Sequence, residues 1–324
     1  MIRYIIRRLI YLIPLFFGVL VIVFVASRIA GDPVQLMTTQ NPRITAEAKQ
    51  LLREYYGLDK PLYYQFFMFI GQLFQGNLGN SYAIRGGIPV VTLIGDYVWL
   101  TFQLQLVALV LSLLIAIPVG IISAKKQYSK LDVSVTTTSL LGTCIPVFYM
   151  GIIAIIIFSY YLGLFPPGGA YSILAERYPF GSPLIDNLWH MVLPTAVLTF
   201  AIIAPVVLLV RSSMLEVLRQ DYILAARASG LSERSVIYRH ALRNALIPVV
   251  TYVGLFFGSM LAGAPITEKV FNWPGVGRLF VEATTKLDFP VIMGITIFIT
   301  IMTLLANLIT DLTYVYIDPR IRLE

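Results

Sequence analysis

Long apolar runs organise this chain. Six segments, 9–30, 99–123, 133–162, 190–210, 246–266 and 290–313, reach the length of about 17–25 residues that a bilayer-crossing helix needs. Within them, the cores 9–26, 100–123, 133–162, 191–210, 246–266 and 290–310 contain no Asp, Glu, Lys or Arg. This pattern predicts an all-α integral membrane protein with six transmembrane helices. Pro118, Pro146, Pro194, Pro205, Pro248 and Pro265 fall inside or at the ends of these runs, where neighbouring helices can re-satisfy the carbonyl that proline frees. The third run is long enough to hold a tilted or broken helix. The first, preceded by Arg3, Arg7 and Arg8, is too long for a signal-peptide core and lacks a strong small-x-small cleavage site, so it reads as an uncleaved span.

Polar segments separate the runs, and two of them predict structure of their own. In 31–97, Thr45 is positioned as an N-cap for a helix to Tyr56 that Gly57 stops. Pro61 then opens a strongly aromatic helix ending near Gly76, suited to the membrane interface or to the face of the membrane domain. The second is "DYILAARASGLSERSVIYRHALRN", Asp221–Asn244. Asp221–Ser229 reads as a short helix with Ala225, Ala226 and Ser229 on a small-residue face. Gly230 ends it in the left-handed conformation, and Ser232 caps a next helix running through Arg234 and Arg239. Such a face permits close approach by another protein, with flanking charges to fix register. A solvated loop is the alternative reading.

Charge sets the orientation. Segments 1–8, 124–132, 211–245 and 315–324 hold 14 Lys/Arg in 62 residues, against 4 in 48 for the short loops 164–188 and 267–289. The positive-inside rule therefore places both termini in the cytoplasm and 31–97 outside. At 58% hydrophobic and 13% charged, the chain has about half the charge of a soluble domain. Its formal net charge of +7 flanks apolar runs, so topology explains it better than nucleic acid does. Cys144 is the sole cysteine and supports neither a disulfide framework nor a metal cluster.

Candidate chemistry is sparse. The only histidines, His190 and His240, lie at opposite ends of the fourth span and its following loop, and no Gly-x-Ser-x-Gly elbow occurs. The residues offer no catalytic set and no metal site. Charge-free cores make proton coupling poor, although sodium sites built from carbonyls keep an ion-coupled secondary transporter as the alternative. No lysine follows a glycine, so no phosphate-cradling Gly-Lys loop exists. ATP-driven transport would require a separate nucleotide-binding subunit, and 211–245 is the segment available to dock it.

"LAARASG" resembles the cytoplasmic Glu-Ala-Ala-x-x-x-Gly loop of ABC-importer permeases, with Ala225, Ala226 and Gly230 matching and Leu224 in place of the glutamate. Downstream, Leu242 fits the usual Ile-x-Leu-Pro, while His240 and Arg243 depart from it, as in the peptide-type branch. "GLDKPLYYQF", "GNLGNS", "ITEKVFNWPGVGRL" and "NLITDLTYVYIDPRIR" resemble, in order, motifs of the dipeptide/oligopeptide B-type permease family.

The resemblance implies a type I ABC-importer permease fold with an N-terminal tip and first span over 1–30, an extracytoplasmic helical segment over 31–97, a five-helix transmembrane domain over 98–314 and a cytoplasmic tail over 315–324. It implies a bacterial or archaeal plasma-membrane location, a homologous second permease, two ATP-binding subunits and an extracytoplasmic substrate-binding protein. It implies no cofactor on this chain, ATP and Mg being held by the partner ATPases, and no enzyme activity of its own. Peptides are the commonest cargo of the family; oligosaccharides, glutathione and nickel also occur. The ATPase-coupling residues would be Asp221, Ala225, Ala226, Arg227, Ser229, Gly230, Ser232, Glu233 and Arg234. In the motif after the fifth span, Trp273, Pro274, Gly275 and Gly277 predict a sharp turn that sets Phe271 and Trp273 near the membrane surface, as an interfacial anchor or a gate. Glu268 is expected either to orient that loop or to meet the binding protein.

Overall fold

The computed structural model describes residues 2–29, 31–32, 34–35, 45–55, 57–172, 174 and 181–317. The expected tail lies outside them from residue 318, as does 175–180 in the loop 164–188. The described chain is helical, with one lone antiparallel bridge between Asn80 and Pro89. It divides into two compact units, one drawn from 1–99 and 275–324, the other Leu100–Pro274.

The first unit contains α1 (Ile2–Ile29), α2 (Ala46–Tyr55), α3 (Leu62–Phe74), the start of α4 (Val90–Lys125), α12 (Val276–Thr285) and α13 (Phe289–Ile317). Thr45 Oγ1 accepts from the Ala48 amide at 3.3 Å and caps α2, and Gly57, at φ +63°, turns the chain before Pro61 opens α3. Phe24 of α1 meets Phe66 and Phe69 of α3, with ring centroids 5.3 and 5.9 Å apart. Val90, Leu93 and Ile94 form a core with Val276, Leu279, Ala283, Val291 and Ile295. The loop before α4 is held by Asp288, whose Oδ2 accepts from the Ser81 hydroxyl at 2.6 Å and from the amides of Tyr82, Ala83 and Ile84. This bond gives "GNLGNS" its structural meaning.

The second unit holds the rest of α4, then α5 (Lys130–Cys144), α6 (Val147–Tyr161), α7 (Pro183–Leu218), α8 (Asp221–Ala228), α9 (Glu233–Ala245), α10 (Ile247–Met260) and α11 (Pro265–Val270). α4 and α7 touch closely at Gly120, where an added Cβ would stand 2.7 Å from Val210. Leu104, Ala108, Ala116 and Ile121 of α4 share a core with Leu198, Ile202, Val206 and Val210 of α7.

Among the described residues, four helices, Ile6–Ile29, Val90–Lys125, Pro183–Leu218 and Phe289–Thr310, are each long and apolar enough to cross a membrane; the number is up to six if each of two bent pairs crosses as one span. α5 and α6 meet at 95°. Pro146 has no amide hydrogen and pushes Ile145 to extended backbone, φ −81° and ψ 122°, which breaks the third run. α9 and α10 bend by 44° just before Pro248.

Candidate functional site

α8 and α9 are built by local signals and anchored by a few apolar residues. Asp221 begins α8 with a carboxylate in the first turn, where the helix dipole favours it. Gly230 adopts φ +78°, and its amide donates to Arg227 O at 3.0 Å, closing the helix end. Ser232 Oγ then accepts from the Ser235 amide and caps α9. Arg227 Nε donates to Glu233 Oε1 at 2.8 Å across the turn, and Asn244 Nδ2 donates to Tyr222 Oη at 2.7 Å. Ile223, Val236, Ile237, Ala241 and Ala245 are buried in the core that also contains Val210 and Met214. Residues 236–241 of α9 form a wider π-helical turn in place of the regular helix expected through Arg239.

The exposed small face differs from the expected Ala225, Ala226 and Ser229. Ala225 and Ser229 are exposed, but Ala226 is half-buried and packs against the core. The exposed small face is therefore Ala225, Ala228 and Ser229, flanked by Leu224, which is 52% exposed, and by the exposed Asp221, Arg227, Ser232, Glu233 and Arg234.

A side-chain cluster joins the start of this segment to the α4–α5 turn. Arg211 Nε donates to Asp132 Oδ1 at 2.5 Å, and its Nη2 donates to Oδ2 at 2.7 Å. Asp132 also accepts from the Ser123 hydroxyl at 2.5 Å and the Tyr128 amide at 2.9 Å. A bidentate guanidinium–carboxylate pair fixes both position and angle. Nothing local in the sequence pairs these residues, since charges at span ends read first as topology.

The turn after α10 also departs from expectation. Phe271 is 1% exposed, and Trp273 and Glu268 are fully buried within the chain. The aromatics are therefore packed inside the chain rather than exposed as anchors, and the Glu268 side chain is enclosed rather than presented at the surface. Glu268 orients the loop instead: its Oε1 accepts from the Ala264 amide and the Thr101 hydroxyl, each at 3.2 Å, and its carbonyl accepts from the Trp273 amide at 2.8 Å. Trp273 Nε1 donates to Leu100 O at 3.0 Å, which satisfies the indole inside the core. Pro274 follows half-buried; Gly275 is the extended residue before α12 and Gly277 is buried in its first turn.

Phe271 O accepts from the Gly169 amide at 2.9 Å, and a Cβ at Gly168 would stand 2.3 Å from that oxygen, so only glycine fits there. Around this contact, Asn187 Nδ2 donates to Ala170 O and Gln103 Nε2 donates to Asn187 Oδ1, both at 2.9 Å. Ser172 gives its amide and hydroxyl to Asp186 at 2.6 and 2.7 Å. His190 Nδ1 faces the Gly168 and Gly169 carbonyls at 3.0 and 3.2 Å and therefore carries the proton. Asp186 consumes the Ser172 hydroxyl and does not orient the ring from behind, so this is a structural network rather than a catalytic triad. Among the described residues, no group of three His, Cys, Asp or Glu could hold a metal ion.

The family described as "Binding-protein-dependent transport system inner membrane component" matches residues 116–323, and the corresponding N-terminal family matches 1–89. The chain is 42% identical over 322 residues to the oligopeptide transport system permease protein AppB of Bacillus subtilis (strain 168), with 99% of each chain covered. It is 40% identical over 341 residues to the di/tripeptide transport system permease protein DppB of Pseudomonas aeruginosa (strain UCBPP-PA14), and 39% identical over 339 residues to the dipeptide transport system permease protein DppB of Escherichia coli (strain K12), again with 99% of each chain covered. Two inward-facing crystal forms of the MetNI methionine ABC transporter match 70% of this chain and 97% and 96% of theirs, with TM-scores of 0.53 and 0.56. At 16% identity, that likeness shows a shared fold alone.

Proposed function

From the premise that this chain belongs to the family of binding-protein-dependent transport system inner membrane components, we propose that it forms half of a translocation pathway for di- and oligopeptides, driven by ATP hydrolysed on separate subunits. The observation that carries the cargo class is end-to-end similarity, near 40% identity, to relatives named for oligopeptide, di/tripeptide and dipeptide transport. The partners in this reading are a homologous second permease, two ATPases that bind ATP and Mg, and an extracytoplasmic substrate-binding protein. The termini and 211–245 face the cytoplasm, and 31–97 faces outward.

In this mechanism the exposed Ala225–Ala228–Ser229 face seats in a groove of the ATPase. The Arg227–Glu233 bridge and the buried Ile223 make α8 and α9 move as one piece. Arg211 ties that piece to Asp132 at the head of α5, so a displacement at the ATPase is delivered to the membrane helices. Substrate passes by alternating access between the two permeases. The charge-free cores offer no fixed partner for peptide termini, which leaves selectivity mainly to the binding protein.

The test is uptake in a peptide-importer-deficient amino-acid auxotroph carrying this gene with its neighbouring transport genes. Growth on a dipeptide containing the required residue, lost on deleting this gene alone, is the expected result. Vesicles containing only this chain that accumulate substrate on a sodium or proton gradient would instead support a secondary transporter.

A further inference from the structure

Where α1 ends and α13 begins, the aromatic helix α3 lines a partly open cavity of about 140 Å³. Phe24, Phe69, Met293 and Ile297 are among its apolar lining residues, and Arg28 and Gln65 are among its polar ones. Gln65 is 7% exposed. Its Nε2 donates to Lys60 O at 2.8 Å and to Leu58 O at 3.4 Å, but its Oε1 has no hydrogen-bond partner. Arg28 Nε also lacks one, although the guanidinium stacks 5.1 Å above the Phe24 ring. Both atoms are shielded from water, and unpaired polar atoms in such a setting are costly.

Their demands are opposite: Arg28 requires an acceptor and Gln65 Oε1 requires a donor. Arg28 and Gln65 also line a larger open cleft of about 1270 Å³ beside α2, which gives a bulky polar group room and a route in. The place fixes the kind of molecule. Ile6–Ile29 and Phe289–Thr310, both apolar enough to cross a membrane, end and begin here, so the cavity lies at the depth of lipid headgroups. Tyr63 and Phe67 of α3, each 68% exposed, suit the same interfacial layer.

We propose that this cavity binds one glycerophospholipid, with its phosphodiester on Arg28, a headgroup hydroxyl or ammonium donating to Gln65 Oε1, and the upper part of an acyl chain against Phe24, Met293 and Ile297. The second contact makes the site selective. Phosphatidylglycerol and phosphatidylethanolamine carry both the phosphodiester and a donor; phosphatidylcholine carries the phosphodiester and no donor. Bound lipid would stitch α3 to α1 and α13, giving the segment between the first and second spans a lipid-dependent position.

Native mass spectrometry of the detergent-purified full chain, with any subunits that co-purify, tests this. Titrated with each lipid, the wild type is expected to retain one phosphatidylglycerol or phosphatidylethanolamine about tenfold more tightly than phosphatidylcholine. Arg28→Gln should weaken all three, Gln65→Leu should abolish the discrimination, and Met293→Trp should fill the tail site and release lipid. Arg219→Gln, which is not among the residues lining the cavity, should change nothing. Soluble glycerol 3-phosphate should not displace the lipid. Equal retention of the three lipids by the wild type overturns the proposal without recourse to any variant. Displacement by glycerol 3-phosphate would instead assign a free-phosphate site and overturn the lipid reading.

Discussion

Arg211 and Asp132, 79 residues apart, form a bidentate ion pair in which the aspartate side chain is 3% exposed and the arginine 20%. The pair links the end of α7, from which the α8–α9 segment departs, to the turn between α4 and α5. Removing one partner of such a pair leaves the other charged and poorly solvated. Asp132→Asn should therefore destabilise the protein by about 3 kcal/mol. Asp132→Asn with Arg211→Met should cost less than Asp132→Asn alone, because no uncompensated charge remains. Thermal unfolding of the purified variants reads both; a double variant less stable than the single one would contradict this.

Tyr82 predicts an alkaline limit. Burial pushes its phenol up to about 12, outweighing the Phe289 amide, which donates to the hydroxyl at 3.2 Å and favours the phenolate; the Asp288 carboxylate adds to the rise, and the hydroxyl donates to Leu287 O. The folded state thus favours the neutral phenol. That stability is fully present below the ordinary tyrosine value near 10 and is lost as pH rises from there toward 12. Tyr82→Phe should flatten this decline in unfolding midpoint between pH 9.5 and 11.5, read at about half-unit steps. An unchanged pH slope in the variant would assign the decline to another group.

Orientation follows from arginine and lysine placement, and topology reporters check it. Fusions near residues 128, 230 and 322 should report the cytoplasm, and those near 60, 175 and 280 the outside. An external signal at 230 would remove the basis for docking a cytoplasmic ATPase there.

Local chemistry was readable in the sequence, and long-range pairing was not. Gly230, Ser232 and Thr45 act on their immediate neighbours, so a helix end and two caps followed from single residues, whereas the length of the third run allowed either a tilted or a broken helix and the bend at Pro146 decides between them. Ser81 and Asp288 are 207 residues apart, and neither signals the other. The same limit explains the two misplacements. Phe271 and Trp273 beside a Trp-Pro-Gly turn have the composition of an interfacial loop, and only their contacts with Gly169 and Leu100 show that they are core. Ala226 is as small as Ala225, so their exposure is decided by how α8 is rotated onto Val236, Ile237 and their neighbours.

That rotation separates a docking effect from a folding effect. Gly230→Val meets no atoms but strains a backbone at φ +78°, and Ala226→Trp would overfill the core contact; both should disturb the segment itself. Ala225→Trp adds bulk only to the exposed face and should leave folding stability within about 0.5 kcal/mol of wild type. The most direct measurement of the account's central claim is co-purification of the ATPase subunits with Ala225→Trp, with transport-coupled ATP hydrolysis at matched membrane levels. Normal insertion and stability with the ATPase lost or uncoupled is the expected result. Wild-type assembly and coupling in Ala225→Trp would contradict it.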